Sequence, residues 1–192
     1  MESFLVSTGV VALAEIGDKT QLLAFILAAR FKKPLPIMLG ILVATFINHG
    51  LAGLLGAWIT ATVSPDILRW ILGLSFIGMA IWTMIPDEIE QEETWIAGKF
   101  GIFGATLITF FLAETGDKTQ IATITMAAHY GTPFMVVMGT TLGMLIADIP
   151  AVFAGEKLAT RIPMKLVHSI AAAVFALLGV ATLLGAGSKL GF

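Results

Sequence analysis

The sequence predicts an all-α membrane protein of six transmembrane helices, arranged as two inverted three-helix repeats. Three observations predict it. Hydrophobic residues make up 57% of the chain and charged residues 12%, with a mean hydropathy of +0.94; a soluble domain is about a quarter charged. The apolar residues fall into six runs, each long enough to cross about 30 Å of hydrocarbon at about 1.5 Å per residue. One stretch is also written twice. Ala14-Glu15-Ile16-Gly17-Asp18-Lys19-Thr20-Gln21 returns as Ala113-Glu114-Thr115-Gly116-Asp117-Lys118-Thr119-Gln120.

The first span is predicted over about residues 3–29. Arg30-Phe31-Lys32-Lys33-Pro34 ends it, because charge is followed by a proline that biases its predecessor away from helix. The second runs over about 35–61 and the third over about 67–85. A strongly polar segment follows, Pro86-Asp87-Glu88-Ile89-Glu90-Gln91-Glu92-Glu93-Thr94, which reads as a solvated linker. The fourth span covers about 99–128, the fifth about 133–159 and the sixth about 165–186. Trp58, Trp70, Trp82 and Trp95 fall near span ends, where indole rings favour the headgroup region. Glycines within the spans (Gly53, Gly56, Gly73, Gly78, Gly101, Gly104, Gly139, Gly143) read as sites of close helix packing.

The repeat extends beyond the doubled stretch. Glu15 and Glu114 are 99 residues apart, and the same offset maps Pro34 on Pro133, Gly40 on Gly139 and Gly56 on Gly155. Residues 1–85 are therefore expected to form one three-helix repeat, 86–98 an acidic cytoplasmic linker and 99–192 the second repeat. An odd number of crossings per repeat inverts the second relative to the first. Many secondary transporters have this architecture, with the substrate near the midplane between repeats. Basic residues outside the doubled stretch gather on one face: Arg30, Lys32, Lys33, Lys99, Lys157, Arg161 and Lys165. The opposite face has Arg69 and Lys189. The basic face is expected to be cytoplasmic, which places both termini on the other side.

Composition excludes several classes. The net charge of −2 does not favour nucleic acid. With no cysteine there are no disulfides, thiolate metal sites or cysteine nucleophiles. Glu2 precedes the first apolar run with no basic residue, unlike a cleaved signal peptide. No G-x-x-x-x-G-K-[ST] stretch is present, which argues against an ATP-driven machine.

The doubled stretch carries the chemistry. A carboxylate near the centre of a membrane helix costs roughly 2.5–3.5 kcal/mol on insertion scales. Glu15, Asp18, Glu114 and Asp117 each incur that cost. On a continuous helix, Glu15, Asp18 and Lys19 share one face, as do Glu114, Asp117 and Lys118. If the two copies face each other, four carboxylates and two lysines sum to −4 + 2 = −2, which one divalent cation neutralises. Hard cations prefer oxygen ligands, and Thr20, Gln21, Thr119 and Gln120 offer neutral ones. Gly17 and Gly116, each between two acids, read as points where backbone approaches an ion or a partner helix. The bland alternative is that these are ion pairs that only pin helices together. It is outweighed by the cost of charge in a membrane and by the repetition.

His49 maps on Asp148 at the same offset. Equal residue counts from the intervening turn place both at the depth of the acids. Asp148 and His49 are thus candidates for proton coupling, and Asn48 for a neutral ligand. For His49 and Asn48 a hydrogen-bonded structural role is equally supported. His129 and His168 lie near span ends and read as interfacial.

Two copies of E-x-G-D-[KR]-[ST], one per three-helix repeat, resemble the Gdt-type cation exchanger family, and within it the bacterial manganese exporters of the MneA type. The resemblance covers essentially the whole chain. Glu15, Gly17, Asp18, Lys19 and Thr20, and Glu114, Gly116, Asp117, Lys118 and Thr119, match the motif without departure. It implies a secondary active exporter of Mn²⁺ in a bacterial inner membrane, exchanging it for protons, with the metal as substrate and no cofactor. The residues alone leave Ca²⁺ exchange by H⁺ or Na⁺ open. An intramembrane hydrolase is disfavoured because no nucleophile, base and oxyanion hole occur together. A passive channel is disfavoured because two lysines would obstruct a cation pore.

Overall fold

The computed structural model describes residues 1–85, 97–154 and 164–185. Every regular element among the described residues is a helix: α1 Glu2–Glu15, α2 Lys19–Phe31, α3 Pro34–Thr62, α4 Pro65–Thr83, α5 Ala97–Glu114, α6 Lys118–Tyr130, α7 Pro133–Ala154 and α8 Met164–Leu183. Pro34, Pro65 and Pro133 each open a helix, where the missing N–H is no loss. Pro34–Thr62, Pro65–Thr83 and Pro133–Phe153 are long and apolar enough to cross a membrane. Of the acidic linker expected over 86–98, residues 86–96, with Trp95, lie outside the described residues, as do Lys157, Arg161 and Lys189, while 97–98 open α5.

The first and fourth spans are not the continuous helices the apolar runs predict. α1 stops at Glu15 and α2 starts at Lys19; α5 stops at Glu114 and α6 starts at Lys118. The doubled stretch is itself a break-and-restart signal. Gly17 has φ 87° and Gly116 φ 81°, a left-handed conformation that side chains disfavour. Asp18 then adopts an extended N-cap conformation and its carboxylate accepts from Lys19 N at 2.8 Å, restarting the helix. Asp117 holds the same backbone position before α6. At Gly116 close packing is not what the position requires: among the described residues an added Cβ would meet nothing within 4 Å, and the requirement is positive φ.

The packing crosses between the halves of the chain. α1 lies along α7 and α5 along α3, while α6 packs on α3 and α2 on α7. α4 and α8 pack on each other. Small residues set the closest approaches. A Cβ at Gly139 would fall 2.5 Å from the Phe4 carbonyl, and one at Gly143 2.6 Å from that of Thr8, so α7 meets the backbone of α1. Gly78 and Gly101 do not serve this purpose among the described residues, since none of them lies within 4 Å of either added Cβ. One apolar cluster joins Val10, Val11 and Ala14 to Phe76, Met126, Met144 and Phe175. A second joins Leu23 and Leu27 to Ile37, Ile41 and Phe110.

Trp58 and Trp70 are 62% and 54% exposed, in keeping with residues that face lipid or headgroups. Trp82 instead packs against the first apolar cluster. Trp58→Phe and Trp70→Phe are therefore expected to leave the melting temperature in detergent nearly unchanged, and Trp82→Phe to lower it. Equal losses for all three would contradict this division.

Candidate metal centre

The two breaks set the two motif copies against each other. Lys118 Nζ lies 3.2 Å from Asp18 Oδ1, and Lys19 Nζ lies 3.6 Å from Asp117 Oδ1. Each lysine therefore pairs with the aspartate of the other copy. The expected shared helical face of Glu15, Asp18 and Lys19 does not exist, because the chain leaves helical geometry between Glu15 and Lys19 and the spacing rule of a continuous helix no longer applies. The same holds for Glu114, Asp117 and Lys118. The two pairs are unequal: the side chain of Lys118 is 1% exposed and that of Lys19 29%.

Glu15, Asp18 and Asp117 each place a carboxylate oxygen within 4.8 Å of the others, and all three residues are buried. Glu114 is buried too but stands outside that group. Its Oε1 accepts from Thr45 Oγ1 on α3 at 2.7 Å. Glu15 is held differently, its Oε2 accepting from Thr20 Oγ1 at 2.6 Å. Offset 99 puts Met144 where Thr45 stands, so no hydroxyl is available there for Glu15. The second oxygen of each glutamate, Glu15 Oε1 and Glu114 Oε2, has no hydrogen-bond partner among the described residues. Neither has the buried hydroxyl of Thr119. Buried polar atoms are ordinarily bonded, so these are oxygens whose ligand capacity the protein does not itself use.

The two glutamines brace the breaks. Gln21 Oε1 accepts from Gly17 N at 2.9 Å and its Nε2 donates to the Ala147 carbonyl at 2.8 Å. Gln120 Oε1 accepts from Gly116 N at 2.8 Å and its Nε2 donates to Asn48 Oδ1. Asn48 Nδ2 donates in turn to the Phe111 carbonyl at 3.3 Å. Each of these amide oxygens thus accepts one hydrogen bond, and Gln21, Gln120 and Asn48 tie the breaks to α7 and α3.

Asp148 on α7 is fully buried, and neither oxygen has a hydrogen-bond partner among the described residues. It lies within electrostatic reach of Glu15, Glu114 and Asp18. His49 is equally buried, and neither ring nitrogen has a hydrogen-bond partner among the described residues. Sequence reasoning missed two residues that touch the motifs. Thr45 lies three before Asn48, on the same face of α3, which was a usable signal. His168 was read as interfacial, but its Nε2 lies 3.0 Å from the Ile16 carbonyl at the first break; no local pattern carried that contact.

Buried carboxylates with hydroxyls beside them, and among the described residues no imidazole in the group, suit a hard divalent cation. Comparison with known proteins agrees in kind. The model of a family described as "Divalent cation/proton antiporter GDT1" matches residues 3–91 and 102–189. A Vibrio cholerae protein named "Putative manganese exporter" is 47% identical over 95% of this chain and 90% of its own length. "GDT1-like protein 3" of Oryza sativa subsp. japonica is 29% identical over 91% of this chain and 71% of its own length. "GDT1-like protein 5" of Arabidopsis thaliana is 27% identical over 96% of both chains. No solved structure matches. With buried acids from both motif copies gathered between apolar helices, and a family model that spans nearly all of it, this chain is an integral membrane transporter, not an enzyme, and belongs to the GDT1 divalent cation/proton antiporter family.

Proposed function

We propose that this chain exports Mn²⁺ in exchange for protons, binding the metal between the two motif copies. The observation that carries the reading is the reciprocal pairing of Lys19 with Asp117 and Lys118 with Asp18, around three carboxylates within 4.8 Å of one another. Glu15, Asp18 and Asp117 are the core ligands in this reading. Glu114 completes a four-carboxylate site by turning its unbonded oxygen inward, and the Thr119 hydroxyl is a neutral ligand. Lys19 and Lys118 keep the aspartates assembled when no cation is present. A divalent ion competes with them for the same oxygens, so loading and release of the metal couple to the contact between copies. Asp148, close by and without a hydrogen-bond partner among the described residues, carries the exchanged proton.

The wider architecture in this reading is two inverted three-helix repeats, 1–85 and 99–192, joined by a cytoplasmic linker over 86–98. Each broken pair, α1–α2 and α5–α6, makes one crossing, so the eight helices among the described residues give six spans. The termini face away from the cytoplasm of a bacterial cell, with the protein in the inner membrane. The choice of Mn²⁺ rests on the name of the Vibrio cholerae relative. Ca²⁺ is the second reading, because an all-oxygen site accepts either ion. Purified protein in liposomes with an imposed pH gradient is expected to move Mn²⁺ against its gradient and to move Ca²⁺ more slowly. Flux that ignores the pH gradient would refute the exchange, and faster Ca²⁺ flux would refute the choice of metal.

A further inference from the structure

The two breaks are chemically alike but are not braced alike. At the second, Asn48 reaches from α3 to the Phe111 carbonyl and to Gln120, and Thr115 Oγ1 donates to the same Phe111 carbonyl at 2.6 Å. At the first, both of those devices are gone. Ala147 stands at the position of Asn48, and Ile16 at that of Thr115. Gln21 Nε2 there donates to a backbone carbonyl, that of Ala147, in place of a side-chain amide. A helix end left with unsatisfied carbonyls needs an outside partner. One arrives from an element that has no such role at the second break. His168, one turn into α8, sets Nε2 at 3.0 Å from the Ile16 carbonyl. A carbonyl can only accept, so Nε2 carries the hydrogen and donates. Arg69 occupies the matching position on α4 and is exposed.

We propose that His168 is a positioning residue for the cation site: by holding the Ile16 peptide it fixes the break from which Glu15 and Asp18 project. Glu15 immediately precedes Ile16, and Asp18 N bonds back to the Glu15 carbonyl at 3.0 Å. The turn is therefore a short closed unit, and a tilt of its middle peptide swings both acids. The two acids of the first copy thus depend on a contact with α8, while those of the second are held from α3 and from within their own turn. This gives α8 a direct hold on one half of the site, so that a movement of α8 relative to α1 alters the ligand set of the first copy before that of the second.

The inference rests on the metal-site reading above, and the test separates the two. His168→Gln keeps an N–H donor at a reach close to that of Nε2. His168→Asn carries its amide one bond short, at the reach of Nδ1, and His168→Ala removes it. Hydrogen–deuterium exchange of the purified full chain should be faster over residues 14–21 in the Asn and Ala variants and unchanged over 113–120. Mn²⁺ affinity, read by calorimetry, should fall roughly three- to tenfold in those variants, the loss of about one hydrogen bond. The Gln variant should match the parent in both measurements. Unchanged exchange over 14–21 in the Asn and Ala variants overturns the inference. So does a Gln variant as impaired as the Asn variant, since the donor would then be irrelevant. A parent protein that binds no Mn²⁺ overturns the metal-site reading, and the exchange data still decide whether His168 braces the break.

Discussion

Asp18→Asn should abolish transport and destabilise the protein more than Asp117→Asn does. The two aspartates occupy equivalent positions, so a motif read as sequence predicts equal effects. Their partners differ. Lys118 is buried with its Nζ 3.2 Å from Asp18, whereas Lys19 is 29% exposed and sits 3.6 Å from Asp117. Removing one member of a buried ion pair costs about 3–5 kcal/mol, because the remaining charge has lost its compensation. A pair with access to water loses far less. The same argument ranks Lys118→Met against Asp18→Asn in a double-mutant cycle. The double variant should regain most of the melting temperature lost by either single variant, since the charge and its partner leave together. It should not regain transport, because a proposed cation ligand is still missing. Thermal melts of purified protein alongside vesicle uptake check both halves. Equal destabilisation by the Asp18 and Asp117 variants would show that burial of the partner does not set the cost.

Much of this arrangement was legible, and what was not has identifiable causes. The chemistry of the doubled stretch and its offset of 99 are visible by inspection, and the proline starts mark helix edges to within a few residues. The breaks were written in the sequence as well. Gly17 followed by Asp18, and Gly116 followed by Asp117, is a stop followed by an N-cap. Apolar runs on both sides overrode that signal, because hydropathy measures burial and is indifferent to φ. Once the helix was taken as continuous, Lys19 had to belong with Glu15 by spacing, and the exchanged pairs were out of reach. Thr45 was hidden by the repeat itself. Its counterpart is Met144, so a comparison of the halves for matching polar residues passes over it. His168 depends on where α8 docks against α1, a tertiary fact with no periodic trace. The stronger lesson is in the asymmetry. Glu15 bonds Thr20 while Glu114 bonds Thr45, and His168 meets the backbone at one break while Asn48 meets it at the other. A sequence repeat predicts equivalence, and the differences arise where the halves diverge: Thr45 against Met144, Asn48 against Ala147, Thr115 against Ile16 and His168 against Arg69.

Mn²⁺ affinity should fall as pH falls, and Glu15→Gln should remove nearly all of it. A carboxylate binds a divalent cation only when ionised, so protons and metal compete for the same oxygens and binding releases protons. The sign follows: the metal-bound form is favoured at high pH and is lost as the ligands protonate. Each proton released makes the apparent constant about tenfold weaker per pH unit of acidification in the range where the ligand titrates. Glu15 is the most informative of the proposed ligands because it is buried, has a carboxylate oxygen within 4.8 Å of those of Asp18 and Asp117, and keeps Oε1 unbonded among the described residues while Thr20 holds Oε2. Glutamine preserves the shape and the contact with Thr20 but removes the charge. Disturbing only the outer partners of metal ligands costs 10–100-fold in affinity, so removing a ligand's charge should cost at least about 100-fold. Glu114 lies outside the three-carboxylate group and is tied to Thr45, so Glu114→Gln should weaken binding less than Glu15→Gln. Asp148→Asn should flatten the pH dependence more than it weakens binding at high pH, if Asp148 holds the exchanged proton without touching the metal. Binding isotherms on purified protein between about pH 6 and 8 read all four quantities. An affinity that does not change with pH would show that protons and metal use different groups. Full transport by a variant lacking both Glu15 and Glu114 would remove the carboxylate site altogether.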